Sequence, residues 1–555
     1  MPVFAPASER GRRERIRLTW FAGSGAAKVA SPGEDTPKAP RAFADPFAYP
    51  SSLTEPAIHV SRMRSRLSGL FVPLSPTGFR HSFGTLRKMG KRPSHRRGSA
   101  KDRDRVLAWL DSRINYERVP LSTATGTTFG LTGMRQLLKR LGQPQLAYRV
   151  AHVAGTKGKG STVAMLAAIL EESGHRVGRY MSPHVHGVEE RIAVDGEPIS
   201  AADLVAAFEK VIPEVEALDL AARRRTARGP TWFEVMTAAA MVHFADARVD
   251  VAVLETGLGG RLDATNVSRP LVTVITSISL DHMRLLGRTI ASITAEKAGI
   301  IKRGCPIVSG AVQPVARRVI ADTATRRRAP LVQLGLDFSV RAAAPATPGD
   351  VLHGVTFDLV LPGSAAAPCR YAIALPGRHQ ADNAALAAIA ARQLDARGLA
   401  VTESAIARGL ARATLPARIE ATAERPLVIV DAAHNVASME SLIETLRPVL
   451  ATRAPRALVF AASGDKQIEA MLAVAAGLFD HVVITRYLRN PRAASLERLQ
   501  TACRRAALPE AEESGSPADA LRLARSRVGA RGIVVVAGSF FLASEVGLSG
   551  DRAPG

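Results

Sequence analysis

Val150-Ala151-His152-Val153-Ala154-Gly155-Thr156-Lys157-Gly158-Lys159-Gly160-Ser161-Thr162 is the stretch that decides the architecture. Val150–Val153 reads as a short buried strand. After the loop, Val163, Leu166, Ala167 and Leu170 fall on one face of a helix. A glycine loop between a strand and a helix lets main-chain N–H groups and the helix N-terminus hold phosphate oxygens. Lys159 adds a mobile point charge for the outer phosphates. The string departs from the pattern G-x-x-x-x-G-K-[ST], because Val153 stands at the first glycine and Gly160, which has no hydroxyl, follows Lys159. A nucleotide-bound Mg²⁺ therefore needs oxygen ligands from elsewhere, and Ser161 and Ser182 are candidates.

Moving outward, Val177–Met181, Val249–Leu254 and Leu271–Ile278 are apolar, β-branched runs without alternation, which suits strands covered on both faces. Helical patterns lie between them, at Trp232–Ala245 for example, so the spacing predicts a doubly wound α/β sheet. A second series begins after Pro416, with strands at Leu427–Val430, Ala457–Phe460, His481–Thr485 and Ile533–Val536. Helical patterns at Ser438–Leu450 and Ile468–Leu478 separate them, which predicts a smaller, Rossmann-like α/β domain. The expected organisation is an extension over 1–101, a nucleotide-binding domain over 102–415 and a C-terminal domain over 416–555. Residues 320–376 are Ala/Pro-rich with short strand-like pieces and fit neither series.

The 555 residues are 46% hydrophobic, which excludes wholesale disorder. No apolar run reaches the ~18 residues that span a bilayer, and no clean signal peptide opens the chain. Cys305, Cys369 and Cys503 are odd in number and far apart. That argues against a disulfide framework and for a reducing, cytoplasmic setting. The net charge is +24, but residues 1–100 carry 18 Lys/Arg against 6 Asp/Glu and so hold half of it. Lacking helix or strand periodicity, that segment reads as a disordered, solvated tail, or as sequence upstream of a start at Met89, before it reads as a nucleic-acid arm. Only 12 of the 74 basic residues are Lys. Five of them (Lys157, Lys159, Lys297, Lys302 and Lys466) fall in the motif segments, where the amine itself can matter.

Glu255 ends a buried strand before Gly257-Leu258-Gly259-Gly260, a position suited to Mg²⁺ or to stabilising a turn. Asp281-His282 follows the next strand in the same way, and His282 is either a metal ligand or structural. Lys297, in Glu296-Lys297-Ala298-Gly299-Ile300-Ile301-Lys302, would be repelled by a nearby Mg²⁺ unless its amine is modified or turned away.

Together the segments GTKGKGS, SPH…EERI, ETGLGGRLDATN, SLDH, EKAGIIK, PGRHQADN, PARIE, DAAHN and GDK resemble, in the family's order, the folylpolyglutamate synthase/dihydrofolate synthase family of the Mur ligase superfamily. The resemblance spans about residues 102–541. The phosphate loop and DAAHN would suit many Mur ligases, whereas ETGLGGRLDATN, EKAGIIK and HQADN point to the folate branch.

The resemblance implies a Mur-ligase-like fold and an ATP-dependent acid–amino-acid ligase of folate metabolism. Such enzymes join L-glutamate to dihydropteroate or a reduced folate through an acyl phosphate, with ATP and two Mg²⁺ ions. It implies a monomer, with no nucleic-acid or membrane partner. Gly158, Lys159, Gly160 and Ser161 would hold the ATP phosphates. Ser182 and Glu255 would bind one Mg²⁺ and His282 a second, with Lys297 as a carbamylated lysine helping to hold it. Lys159, Lys297 and His282 form the expected catalytic group. Asn383 would contact the base. Arg418 and Asp431, with His434 nearby, would reach the nucleotide from the smaller domain. Glu190 and Arg191 would lie near the pterin substrate. The family's usual loop is GTNGKGS, so Lys157 replaces an Asn; the intact Gly158–Ser161 core implies retained activity. The alternative is a Mur-type ligase joining an amino acid to another carboxylate.

Overall fold

The computed structural model describes residues 100–118, 130–223, 228–363 and 367–547. The expected basic extension lies outside these residues, except that an ordered helix begins at Ala100 (Ala100–Asp111). All described residues fall within one compact unit, Lys91–Gly555, which carries three sheets.

The largest sheet has eight strands. Across it they run Glu197–Pro198, Ile192–Val194, Val177–Tyr180, Val251–Glu255, Arg149–Ala154, Val272–Ile275, Ile307–Ser309 and Leu331–Gln333. From Val177–Tyr180 onward every pairing is parallel. The first two strands form an antiparallel edge. Arg149–Ala154 is central because Val150–Ala154 are all buried, with helices on both faces. Each fully buried Val or Leu here contributes about 1.5–3 kcal/mol of hydrophobic stabilisation. The chain leaves this strand towards one side of the sheet and later continues on its other side. The carboxyl end of Arg149–Ala154 is thus a topological switch point, where such sheets bind ligands.

The helix after the phosphate loop, Lys159–Glu172, packs under helices Arg378–Asp395 and Glu403–Arg412. At Gly409 a Cβ would lie 2.4 Å from Ile169 Cα, so only glycine lets these helices come this close.

Residues 320–376, which fitted neither series, hold the end of helix Pro314–Arg327 and then short strands that fall into two sheets. Leu331–Gln333 closes the parallel sheet. Ser339–Ala342, Val355–Val360 and Cys369–Ile373 make a separate antiparallel sheet whose Phe357, Leu359, Tyr371 and Ile373 cover helix Arg378–Asp395.

The C-terminal sheet has six strands in the order Glu420–Glu424, Leu427–Val430, Ile533–Ala537, Arg456–Phe460, His481–Ile484 and Ala511–Glu513. All pairings are parallel except that of the first strand with the second. Among the described residues no helix is long and apolar enough to cross a membrane.

Candidate active site

Gly155–Lys159 is tied to the neighbouring strand end. Thr156 donates its N–H to the Ser277 carbonyl at 2.8 Å, and its hydroxyl accepts the Ser279 N–H at 3.1 Å. The Thr276 hydroxyl donates to the Lys157 carbonyl at 2.5 Å. Gly158 has φ +79°, and a Cβ there would stand 2.1 Å from Asn383 Oδ1. The loop and Asn383 can therefore meet only if this residue is glycine. Gly158 is the N-cap of helix Lys159–Glu172, and no side chain caps the helix. Its positive end thus faces the cleft. Gly160 and the buried Ser161 sit in its first turn and line the cleft.

Glu255 is 4% exposed at the end of its strand. Its carboxylate receives the Ser182 N–H at 3.3 Å and lies 3.8 Å from Lys159 Nζ. Burial pushes its pKa up, against the pull of Lys159. A buried carboxylate with such thin partners suits a divalent cation, and the adjacent Ser182 supplies oxygen of the kind Mg²⁺ prefers. Among the described residues no group of three or more His, Cys, Asp or Glu side chains could hold a metal by itself.

Lys297 lies against the phosphate loop. Its Nζ donates to the Gly155 carbonyl at 2.8 Å, and burial, followed by Lys159, lowers its pKa to about 7. Much of this amine is neutral near pH 7, the form that can react with carbon dioxide. His282 has φ 48°, and burial lowers its pKa to about 4, leaving the neutral imidazole that metals require.

The C-terminal sheet and its helices, the smaller lobe, form the other wall. Asp431 accepts the N–H groups of Ile419 at 2.9 Å and Ala433 at 2.7 Å, so its carboxylate shapes the backbone around Arg418. The Arg418 guanidinium stacks 4.9 Å from the Phe540 ring centre. His434 is paired through Nδ1 with the Ala432 carbonyl at 3.0 Å, and its Nε2 lies 4.0 Å from Asp281. Asp281 itself bridges the lobes. It receives Lys466 Nζ at 3.1 Å and Asn435 Nδ2 at 3.3 Å. Burial opposes its ionisation, but His282, Lys466 and His434 hold it well below the usual carboxylate range. Lys157 faces the same region; burial lowers its pKa to about 8, opposed by Glu440 and Asp281.

One cleft of about 840 Å³ is lined by Gly158, Lys159, Gly160, Ser161, Ser182, Glu255, His282, Lys297, Asn383, Arg418, Asp431 and His434. Glu190 lines it too, but its carboxylate is engaged by the N–H groups of Val185, His186 and Gly187 at 3.0, 2.7 and 2.9 Å. Arg191, expected near the pterin substrate, is not among the residues that line the cleft. It is 1% exposed, donates to both Glu117 carboxylate oxygens at 3.0 and 2.6 Å, and stacks on Trp232. Its donors are taken up inside the protein, so it holds the loop rather than a ligand. Sequence reading gave Asp281, Asn435, Glu117 and Arg492 no role. Asp281 carried a signal, its place beside His282 at a strand end; Glu117 lies in an irregular segment and carried none.

Residues 153–391 match the Mur ligase middle domain, and 417–540 match the Mur ligase glutamate ligase domain. A dihydrofolate synthase/folylpolyglutamate synthase of Bacillus subtilis (strain 168) is 38% identical over 442 residues, covering 79% of this chain and 97% of its own. The chain belongs to the folylpolyglutamate/dihydrofolate synthase family of Mur ligases. Among solved members of this family, Mycobacterium tuberculosis folylpolyglutamate synthase complexed with ADP superposes with a TM-score of 0.71 at 34% identity, covering 82% of this chain and 99% of its own. The Escherichia coli protein in complex with DHPP and ADP gives 0.65 at 31% identity, covering 80% and 97%. The family's domain matches coincide with the two large sheets, and the cleft described above lies between them.

Proposed function

We propose that this chain ligates L-glutamate to the carboxylate of dihydropteroate or a reduced folate, using ATP. The observation that carries the reading is the convergence of Lys159, Glu255, Lys297 and Arg418 on one cleft between two lobes, in a chain of this family. A carboxylate is a poor acyl donor because its leaving group would be oxide. Transfer of the γ-phosphoryl group to its oxygen releases ADP and creates a good leaving group. The glutamate amine then attacks the acyl carbon, phosphate departs, and the nitrogen loses a proton. Negative charge gathers around the phosphoryl group, where Lys159, the helix N-terminus and Arg418 offset it.

Mg²⁺ fits the under-partnered Glu255 with Ser182, and a second ion fits neutral His282 beside Lys297 once that amine carries a carbamate. When bound, the ions supply Lewis-acid charge at the phosphates. The chain's own part is to hold their ligands, to keep Lys297 buried with much of its amine neutral, and to exclude water by lobe closure. We assign residues 102–415 and 416–555 to the two lobes, and read the protein as a cytoplasmic monomer acting on small molecules. The test is phosphate release with ATP, Mg²⁺ and glutamate, offering dihydropteroate and reduced folates separately. Turnover with either acid is expected; turnover with neither, alongside activity on another acid, would favour the broader Mur-type reading.

A further inference from the structure

Ile114, Asn115, Tyr116 and Glu117, in a described segment of the larger lobe, line the cleft. The Glu117 carboxylate is bound by both Arg191 terminal nitrogens, while Arg191 Nε donates to His184 Nδ1 at 2.9 Å. Trp232, stacked under Arg191, donates its main-chain N–H to the Ile114 carbonyl at 3.1 Å. The segment carries Tyr116, whose ring Arg228 overlies, and is fixed beside Phe233; both rings line this half of the cleft, which suits a flat aromatic acid.

The same residue is also held from the opposite lobe. The Glu117 main-chain carbonyl accepts Asn490 Nδ2 at 3.3 Å and Arg492 Nη1 at 3.2 Å. Arg492 Nη2 continues to Asp465 Oδ1 at 2.7 Å, and Asn490 Oδ1 accepts the Arg492 N–H at 3.0 Å. Asn490 is 2% exposed, so it is set rigidly. Asp465 precedes Lys466, which reaches Asp281. Glu117 is therefore a junction, with its side chain held by the larger lobe and its carbonyl by the smaller.

We propose that Arg492 and Asn490 are positioning residues that clamp the acceptor-side wall through the Glu117 carbonyl, so that closing the smaller lobe completes the acid-binding half of the cleft. This rests on the ligase reading above. Among the described residues the side-chain partners of Arg492 and Asn490 are Glu117, Asp465 and each other, none of them in the phosphate loop, so the two substrates should feel the loss of the clamp unequally. A guanidinium can serve Asp465 and the carbonyl together through its planar fork; a lysine ammonium has no such fork.

The test uses the full chain with Arg492→Lys and Asn490→Ala. Loss of one or two such hydrogen bonds should raise the KM of the acceptor acid by about fivefold to tenfold. The KM for ATP should change by less than about twofold on the same grounds. Amide hydrogen exchange over 114–118 should quicken in both variants, a readout independent of turnover. Equal rises in both KM values, no rise in either, or unchanged exchange would each overturn the clamp. If wild-type protein turns over no acid, the ligase reading fails instead, and the exchange measurement still decides whether the clamp exists.

Discussion

Asp281 and Lys466 meet across the cleft at 3.1 Å, joining the strand-end loop of the larger lobe to the smaller lobe. Both side chains are largely buried, at 10% and 13% exposed. A charge pair in that setting is costly to break from one side, because the partner is left desolvated and unpaired. Asp281→Asn and Lys466→Met should each loosen lobe closure, while the double variant should recover part of the loss. A double-mutant cycle in denaturant is expected to give a coupling of about 1–3 kcal/mol. Additive effects would mean that the pair does not hold the lobes.

Lys159→Ala removes the cation aimed at the transferring phosphoryl group. Turnover should fall by about a hundredfold or more, with the thermal midpoint little changed. Full turnover would remove Lys159 from the site.

Gly158→Ala places a methyl group against Asn383 Oδ1 at a backbone angle that L-residues avoid. The strain alone costs about 1–2 kcal/mol, and the overlap adds to it. Calorimetry should show a lowered midpoint that Asn383→Ala partly restores in the double variant. No restoration would place the strain elsewhere.

Lys297→Arg keeps the charge but cannot carry a carbamate. It should be inactive, and the carbamate carbon signal that ¹³CO₂ gives the wild type in NMR should be absent from the variant. An active Lys297→Arg variant would exclude the modification as a requirement.

Acid should weaken this protein through its buried histidines. Burial lowers the pKa of His152 and His184 to about 3 and of His379 and His434 to about 4, from an ordinary 6.5. Between those limits the unfolded chain binds protons that the native one refuses. Stability is therefore full above pH ~6.5 and is lost as pH falls towards 4 and 3, by up to ~1.4 kcal/mol per pH unit for each proton. Denaturant midpoints at pH 7.5 and 5.5 should differ clearly; equal midpoints would show these rings to be accessible to protons in the native state. His152→Asn should remove one proton's share of the slope, since His152 is wholly buried against the Thr265 hydroxyl.

Much of the fold was legible because its strands are short, apolar and buried on both faces. Arg149–Ala154, Val272–Ile275 and Ile533–Ala537 sit within a residue or a few of their predicted limits. The region 320–376 was not legible, and its first residues belong to helix Pro314–Arg327. Its strands are three to six residues long, and half-buried strands such as Ser339–Ala342 carry too few apolar residues to show a period. At the site, most of the motif residues singled out in the sequence line one cleft, and Arg191 of EERI does not. The pairing of Glu117 with Arg191 was hidden, because the tertiary fold joins residues 74 apart, and an Arg inside a motif looks the same whether it faces inward or outward.

The most direct measurement follows oxygen. With the acceptor carboxylate labelled with ¹⁸O, phosphoryl transfer to that oxygen predicts that one label per turnover appears in the released phosphate. Phosphate free of label, alongside normal amide formation, would contradict activation of the acid by ATP in this cleft.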